Sequence, residues 1–590
     1  MSSEPPPTPF KDECLAARIP AATLSKKQQK KICRKAEKAE MLARRQRHQH
    51  QQQQLTHGSD DLFEANYGDI PLEEIQSKAI SGRSWTQVCD LDAVAVGRSV
   101  LVRAAIQAIR EVSNKMVFFV LRQSMSTVQC VLVSSADSGT STQMVRFTAS
   151  LSLESIVQVE GVVCLPKDPV KACTQKVPPF PRWQFIRGHL LSSGTALILH
   201  QKKGIRVDWC FVVPLQVEIQ VRKIYCVNRA TLALPINFED LARSENEIEK
   251  VEHDGQQQHI RVGQDTRLNY RTIDLRIPSN QAIFRIECQV ENKFREFLLS
   301  KGFVGIHTPK LIAGSSEGGA AVFNLLYNGQ PACLAQSPQL HKQMAICGGF
   351  ERVFEVGPVF RAENSHTHRH LSEFLGLDAE MEIKEHYFEV CDIVDGLFLS
   401  IFEHLNENCK EELEAINRQY PFEPLKVKHS CLFYGSHHDA SGFLAQYLDQ
   451  TLKLTYDEGI QMLKDAGTEI DPMGDLNTDA EKKLGQLVKE KYGTDFFILH
   501  QYPLAVRPFY TMPCYNNPAY SNSFDVFIRG EEIISGAQRI HIPELLVKRA
   551  VQCGVDLWRA SSWGFWGGPG ESCDAVLRPE KHQEDFALPT

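Results

Sequence analysis

Residues 354–380, FEVGPVFRAENSHTHRHLSEFLGLDAE, set a cation, an aromatic and two carboxylates in an apolar frame. Arg361 follows a run of strand-forming residues, where a guanidinium can neutralise phosphate oxygens through paired hydrogen bonds. Phe374 offers a flat face on which a purine stacks. Asp378 and Glu380 stand two apart, so on a strand both point to one side. Together these residues suit a nucleoside triphosphate held bent over a carboxylate. Singly they have plainer readings: HTHRH, His366 to His370, as a metal cluster or a solvated loop, and Arg361 as a surface ion pair.

The whole arrangement resembles motif 2 of class II aminoacyl-tRNA synthetases, and further segments follow in that family's order. IHTPKL carries Pro309, matching the motif 1 proline after an amphipathic stretch, 283–301, which in the family builds a dimer interface. SSEGGA follows with Ser316 and Glu317, then AQSPQLHKQ with Gln336, Gln339 and Lys342. FIRGEEIISGAQRIH contributes Glu531, Glu532, Ser535, Gly536 and Arg539. QSPQxxKQ together with GEExxSGAQR is similar to the aspartyl members of eukaryotic cytosolic type.

That resemblance implies an ATP- and Mg²⁺-dependent ligation of L-aspartate to its tRNA through an aspartyl-adenylate, with Arg361 as the catalytic cation. The amino-acid pocket would comprise Ser316, Glu317, Gln339, Lys342, Asp378 and Arg539. The ATP site would comprise Arg361, Glu363, His370, Phe374, Glu532 and Ser535, the last two also holding metal. The residue chemistry agrees. A substrate with a carboxylate side chain needs cations at the pocket floor, which Lys342 and Arg539 supply, while Glu317 suits the α-ammonium. Activation is in-line attack of one anion on another, so it calls for positioning and charge neutralisation and needs no general base.

These residues need a scaffold, and the chain of 590 residues, 43% hydrophobic, is long enough for several domains. Neither GxGxxG nor GxxxxGK[ST] occurs, so ATP would bind without a Rossmann fold or P-loop. The expected catalytic domain, 273–557, is α+β, a mostly antiparallel sheet with flanking helices. A polar hinge is expected over 228–272. Before it, alternating apolar runs between Gly97 and Val227 predict a small β-barrel of OB type within 61–227. In the family this is the anticodon-binding domain, with Phe118 matching the stacking aromatic and Gln129 and Glu218 the base-edge readers. Since Phe118 adjoins Phe119, one of the two should face the barrel core.

Net charge is −7, against nucleic-acid binding by the whole surface, yet the first 60 residues form a basic extension. Between Lys26 and Arg47 ten cations stand against two carboxylates, and Lys26, Lys27, Lys30, Lys31, Arg34 and Lys35 resemble the lysine-rich helix of eukaryotic cytosolic synthetases that grips tRNA phosphates. The plainer reading is a solvated tail, which HQHQQQQ favours distally. No run of about 18 apolar residues predicts a membrane span. Seventeen cysteines without a CxxC pair indicate a reducing compartment, read as the cytoplasm. A homodimer is the expected assembly; membership of a multi-synthetase complex stays open.

Three segments depart from the family. Residues 176–216 and 428–447 read as insertions, either lineage-specific loops or retained intron sequence. The end, WGFWGGPGESCDAVLRPEKHQEDFALPT, lacks motif 3, GxGxxR, whose arginine grips the far phosphates of ATP. Reading one base later from the codon of Trp566, the genetic code permits GGGLERVAMLFLGLKNIRKTSLFPR. Residues 558–590 are therefore read as an out-of-frame tail that leaves the sheet short of a strand and the chain at least about a thousandfold less active. Two alternatives remain: a noncatalytic tRNA-binding or dimerising relative, and an asparaginyl or lysyl enzyme of the same architecture. Cys514 and Ile542 also stand where the family would have acids.

Overall fold

A computed structural model describes residues 61–75, 80–166, 173–174, 217–231, 234–244, 246–248, 260–313, 322–363, 371–423 and 451–554, and the backbone of 571–577. The basic extension, Ser316, Glu317, His370, and the stretches 176–216 and 428–447 lie outside the described residues. The chain divides into two compact units, the first ending at Ala230 and the second running from Thr231, with Gln123–Ser126 grouped with the second.

The first unit is a barrel. Its strands are β1 (Tyr67–Asp69), β2 (Ser99–Ser113), β3 (Met116–Gln123), β4 (Ser126–Val133), β5 (Ile156–Cys164) and β6 (Glu218–Asn228), with helix α1 (Thr142–Ala149) between β4 and β5. The order β1-β6-β4-β3-β2-β5, with β5 also paired to β6, closes five strands on themselves. Closure runs through a short parallel contact of β4 with β6, Gln129 opposite Glu218. The apolar runs predicted between Gly97 and Val227 are strands, because their alternation buries one row: Val117, Phe119 and Leu121 fill the core while Met116, Phe118 and Val120 stay partly exposed.

The second unit is built on an eight-stranded sheet. Its strands are β7 (Val304–Gly305), β11 (Arg352–Phe360), β12 (Glu373–Ile383), β13 (Leu452–Thr455), β14 (Phe496–His500), β15 (Ser523–Ile528), β16 (Glu531–Gln538) and β17 (Glu571–Leu577). They lie in the order β13-β14-β15-β16-β17-β12-β11-β7, antiparallel except for the outer pairs β13–β14 and β7–β11. A separate three-stranded sheet holds β8 (Leu311–Ile312), β9 (Asn324–Tyr327) and β10 (Gln330–Leu334). This is the α+β arrangement the sequence predicts.

Alternation gives the large sheet two chemically different faces. Phe354, Val356, Leu377, Met381, Phe524, Val526 and Ile534 turn back against α2 (Pro278–Ser300) and α4 (Phe388–Asn408). Each such apolar side chain contributes about 1.5–3 kcal/mol on burial. The front face carries Phe374, Asp378 and Glu380 centrally. Toward β13 it is covered by α6 (Tyr456–Asp465) and α7 (Thr478–Tyr492) packed on Phe497, Leu499 and Phe527. Helix α6 starts at a reciprocal cap between Thr455 and Glu458, and α7 at Asn477, whose side chain accepts from Ala480 N.

One expectation needs correction. The tail does not leave the sheet short of a strand: Glu571–Leu577 lies in its interior, paired with β12 on one side and β16 on the other. ESCDAVL ends in the β-formers Val576 and Leu577, and the slot offers ladder partners on both flanks.

Candidate active site

The pocket is assembled where helix α3 (Gln339–Cys347) crosses the front of β12. Lys342, with no solvent exposure, sets its Nζ 3.4 Å from Asp378 Oδ1 and 3.8 Å from Glu380 Oε2. One turn earlier, Gln339 Nε2 donates to Glu380 Oε2 at 2.7 Å. Arg539, just past β16, brings its Nε to 3.9 Å from Glu380 Oε1. With the Gln343 amide turned to satisfy its neighbours, its oxygen accepts from Arg539 Nε at 2.9 Å and Nη1 at 3.2 Å. Two cations and two carboxylates thus share one buried cluster. Such a set costs several kcal/mol in desolvation, so good geometry is required to hold it.

Along β12 toward Arg361 the floor is bare. Gly376 faces Gly357 across the strand pair, and a Cβ on Gly376 would lie 2.7 Å from Asp378 Oδ2 and 2.8 Å from Val359 Cγ2. Beyond it is Phe374, with the Arg361 guanidinium 5.4 Å from its ring centroid. Arg361 N also binds Ser372 O, pinning the residue at the end of the β11–β12 ladder. Glu363 stays near through a turn, its N donating to Arg361 O at 2.9 Å. Cation, ring, bare floor and charged pocket therefore lie in line along one strand pair.

Glu532 and Ser535 would point to opposite faces of a regular strand, being three apart. A bulge in β16 resolves this: Val526 pairs with Ile534 and Phe527 with Glu532, which leaves Ile533 as the extra residue. Ile533 and Ile534 both enter the back core, and Glu532 and Ser535 share the front face. Asp525 lies directly opposite Ser535. Val576 of β17 has Asp378 as its partner on one flank and Ser535 on the other, so the two oxygen-bearing groups stand two strands apart, roughly 10 Å.

Arg507 Nη2 reaches Asp525 Oδ2 at 2.6 Å, and its guanidinium lies over the Tyr502 ring at 3.9 Å. Burial pushes the Asp525 carboxyl up, but the charge of Arg507 and hydrogen bonds from Arg507, Ser535 and Tyr502 outweigh it, holding the group below the usual carboxylate range. Burial drives the Tyr502 phenol well above its ordinary value. Glu532, Ser535 and Asp525 form an oxygen-only donor set, which suits Mg²⁺. Among the described residues no three His, Cys, Asp or Glu could hold a metal ion by themselves. Any such ion would need substrate oxygens to complete its shell.

In the barrel Phe119 is in the core and Phe118 outside it, the Arg110 guanidinium 5.1 Å from the Phe118 ring. Gln129 Nε2 donates to Glu218 Oε2 at 2.8 Å, so these two share one spot on the closing strands.

Sequence reasoning missed Asp525, Arg507, Gln343 and Tyr510, whose ring centroid lies 4.5 Å from the Arg539 guanidinium carbon, and left Glu380 without a pocket role. A lone acid in the apolar run SFDVFI was the available signal for Asp525. The bulge and the stacking of Tyr510 have no sequence signature.

Residues 263–562 match the family described as tRNA synthetases class II (D, K and N). Over 514 residues the chain is 53% identical to aspartate–tRNA ligase 2, cytoplasmic, of Arabidopsis thaliana, covering 85% of this chain and 81% of that one. It is 42% identical over 515 residues to the cytoplasmic aspartate–tRNA ligase of Homo sapiens, covering 87% and 89%. Among solved structures, the aspartyl tRNA synthetase from Entamoeba histolytica superposes with a TM-score of 0.70 at 38% identity, covering 88% of this chain and 91% of that one. The asparaginyl-tRNA synthetase from Pyrococcus horikoshii with asparaginyl-adenylate shares the fold at 22% identity and a TM-score of 0.63, covering 86% and 96%. The chain belongs to the class II tRNA synthetases and, within them, to the family of aspartate–tRNA ligases.

Proposed function

We propose that the chain binds L-aspartate and ATP on the front face of its large sheet and ligates aspartate to its tRNA through an aspartyl-adenylate. The observation that carries this reading is the buried cluster of Lys342, Asp378, Glu380 and Arg539, which presents two cations to a side-chain carboxylate. An amide substrate would bring those cations no charge beyond the Asp378 and Glu380 carboxylates they already face.

In the reading's geometry, Lys342 and Arg539 hold the side-chain carboxylate, and Gln339 and Asp378 keep them oriented. Glu317, Ser316 and His370 join by resemblance to the family. The nucleotide lies over the bare Gly357–Gly376 floor, its base on Phe374 and its α-phosphate on Arg361, with Glu363 beside it. Mg²⁺, held by Glu532 and Ser535 with Asp525 adjacent, would neutralise phosphate charge. Arg361 withdraws charge from the phosphorus as the substrate α-carboxylate attacks and pyrophosphate leaves.

The barrel would read the anticodon through Phe118, Gln129 and Glu218, and the basic extension would hold tRNA phosphates. Partly exposed Phe284 and Leu299 on α2, with Val304 on β7, offer apolar surface to a second copy. A cytoplasmic location fits the cytoplasmic relatives, and among the described residues no helix is long and apolar enough to cross a membrane.

A second reading, a noncatalytic tRNA-binding or dimerising relative, is favoured by the absent GxGxxR. L-aspartate-dependent ATP–pyrophosphate exchange separates the two. Exchange with aspartate and none with asparagine or lysine supports the ligase; no exchange with any of the three supports the second reading; exchange with asparagine or lysine and not aspartate overturns both.

A further inference from the structure

Arg539 emerges from the end of β16, so neighbouring side chains must fix the direction of its long side chain. The segment Tyr510–Met512 runs alongside: Ile540 N donates to Tyr510 O at 2.8 Å, Met512 N to Gln538 O at 2.9 Å, and Thr511 bridges Arg539. This ladder brings the Tyr510 ring centroid to 4.5 Å from the Arg539 guanidinium carbon. Phe509 packs edge-on against Tyr510, centroids 5.3 Å apart at 71°, so the ring itself is held. At the guanidinium edge, Gln343 takes Nε and Nη1 and Glu380 stands 3.9 Å from Nε. One face and one edge of the same planar group are therefore fixed by different elements.

A guanidinium recognises a carboxylate through parallel N–H donors in one plane, so its discrimination depends on that plane staying put. A group free to tilt could donate a single bond to an amide oxygen. We propose that Tyr510 is a positioning residue for substrate selection, its ring holding Arg539 in the plane that reads a side-chain carboxylate and thereby favouring aspartate over asparagine. This rests on the pocket being an aspartate site.

The test is calorimetric titration of the full chain with L-aspartate and, by displacement, L-asparagine. Tyr510→Leu should weaken aspartate roughly tenfold, as loss of a desolvated cation–ring contact does, and move asparagine by less than about twofold. Tyr510→Phe, which keeps the ring, should keep the selectivity of the parent. Should Tyr510→Leu fail to melt cooperatively, Tyr510→Met fills the volume without a ring and replaces it. Unchanged aspartate affinity in the ringless variant overturns the proposal, as does a Tyr510→Phe chain that loses as much, or affinities for both amino acids falling together. A parent chain that binds no aspartate would instead overturn the reading of the pocket.

Discussion

Gln339 and Glu380 meet at 2.7 Å inside the protein, an amide donating to a carboxylate with no solvent exposure. The contact gives Glu380 a fixed place between Lys342 and Arg539, 3.8 and 3.9 Å away. Without it the carboxylate could swing onto either cation and occupy the position a substrate carboxylate would take. The protein's own acids thus set how much positive charge the pocket presents.

Replacing Arg539 tests that balance. Arg539→Leu removes one of the two cations and leaves Glu380 held by Gln339 and Lys342. Aspartate-dependent transition-state binding should fall by roughly 3–5 kcal/mol, the scale for a buried carboxylate without its partner. ATP affinity should barely change. Pyrophosphate exchange on a chain carrying an in-frame motif 3 provides the measurement, and near-parental exchange would refute the assignment.

Gly376 is a narrower probe. Its missing Cβ would sit 2.7 Å from Asp378 Oδ2, so Gly376→Ala must displace the acid that faces Lys342. A cost of about 1–3 kcal/mol in stability is expected, with weaker aspartate binding. Denaturant melts and aspartate titration check both, and an unaltered pair of values would show that the strand has room to shift.

How legible all this was in the sequence depends on what sets each position. Period-two alternation required one of Phe118 and Phe119 to face the core, which the structure shows to be Phe119, and put Asp378 and Glu380 on one face, because burial punishes any other register. It could not place Glu532 with Ser535, since one extra residue, Ile533, reverses the parity that sequence counting assumes. Nor could it find Tyr510, 29 positions from Arg539 and joined to it only by folding. The tail was misjudged because a seven-residue segment with open ladders on both flanks can be taken into a sheet whatever its ancestry.

His500 makes stability depend on pH. Burial, with the nearby Lys453 and His386 charges, lowers its pKa to about 4 against an opposing pull from Glu458, and Tyr387 Oη lies 3.0 Å from its Nδ1. The unfolded chain takes up a proton below about 6.5, the folded one only near 4, so stability falls as pH drops through that window. The loss should approach about 3 kcal/mol. His500→Gln should flatten the slope between those pH values, and an unchanged slope would contradict the shift.

The basic extension predicts a salt effect. If residues 26–47 grip phosphates, deleting them should weaken tRNA binding and lower the slope of log K against log salt, with amino-acid activation untouched. Filter binding across a salt series measures the slope. An identical slope would leave only a solvated tail.

The C-terminal strand separates folding from catalysis. Glu571–Leu577 is hydrogen-bonded on both sides in the interior of the sheet, so truncation after residue 570 would strip ladder partners from Leu377–Ile383 and Ile534–Gln538 together. Unpaired backbone groups there cost far more than at an edge, and the truncated chain should lose its cooperative melt while the full chain keeps one. Filling the slot does not supply chemistry, however. ESCDAVL brings no cation to the far phosphates, so the full chain should run pyrophosphate exchange at least about a thousandfold slower than one restored to end in GGGLERVAMLFLGLKNIRKTSLFPR. Melts and exchange assays on the truncated, full and restored chains decide it: a truncated chain as stable as the full one would remove the strand from the sheet, and a full chain as fast as the restored one would remove any need for the missing arginine.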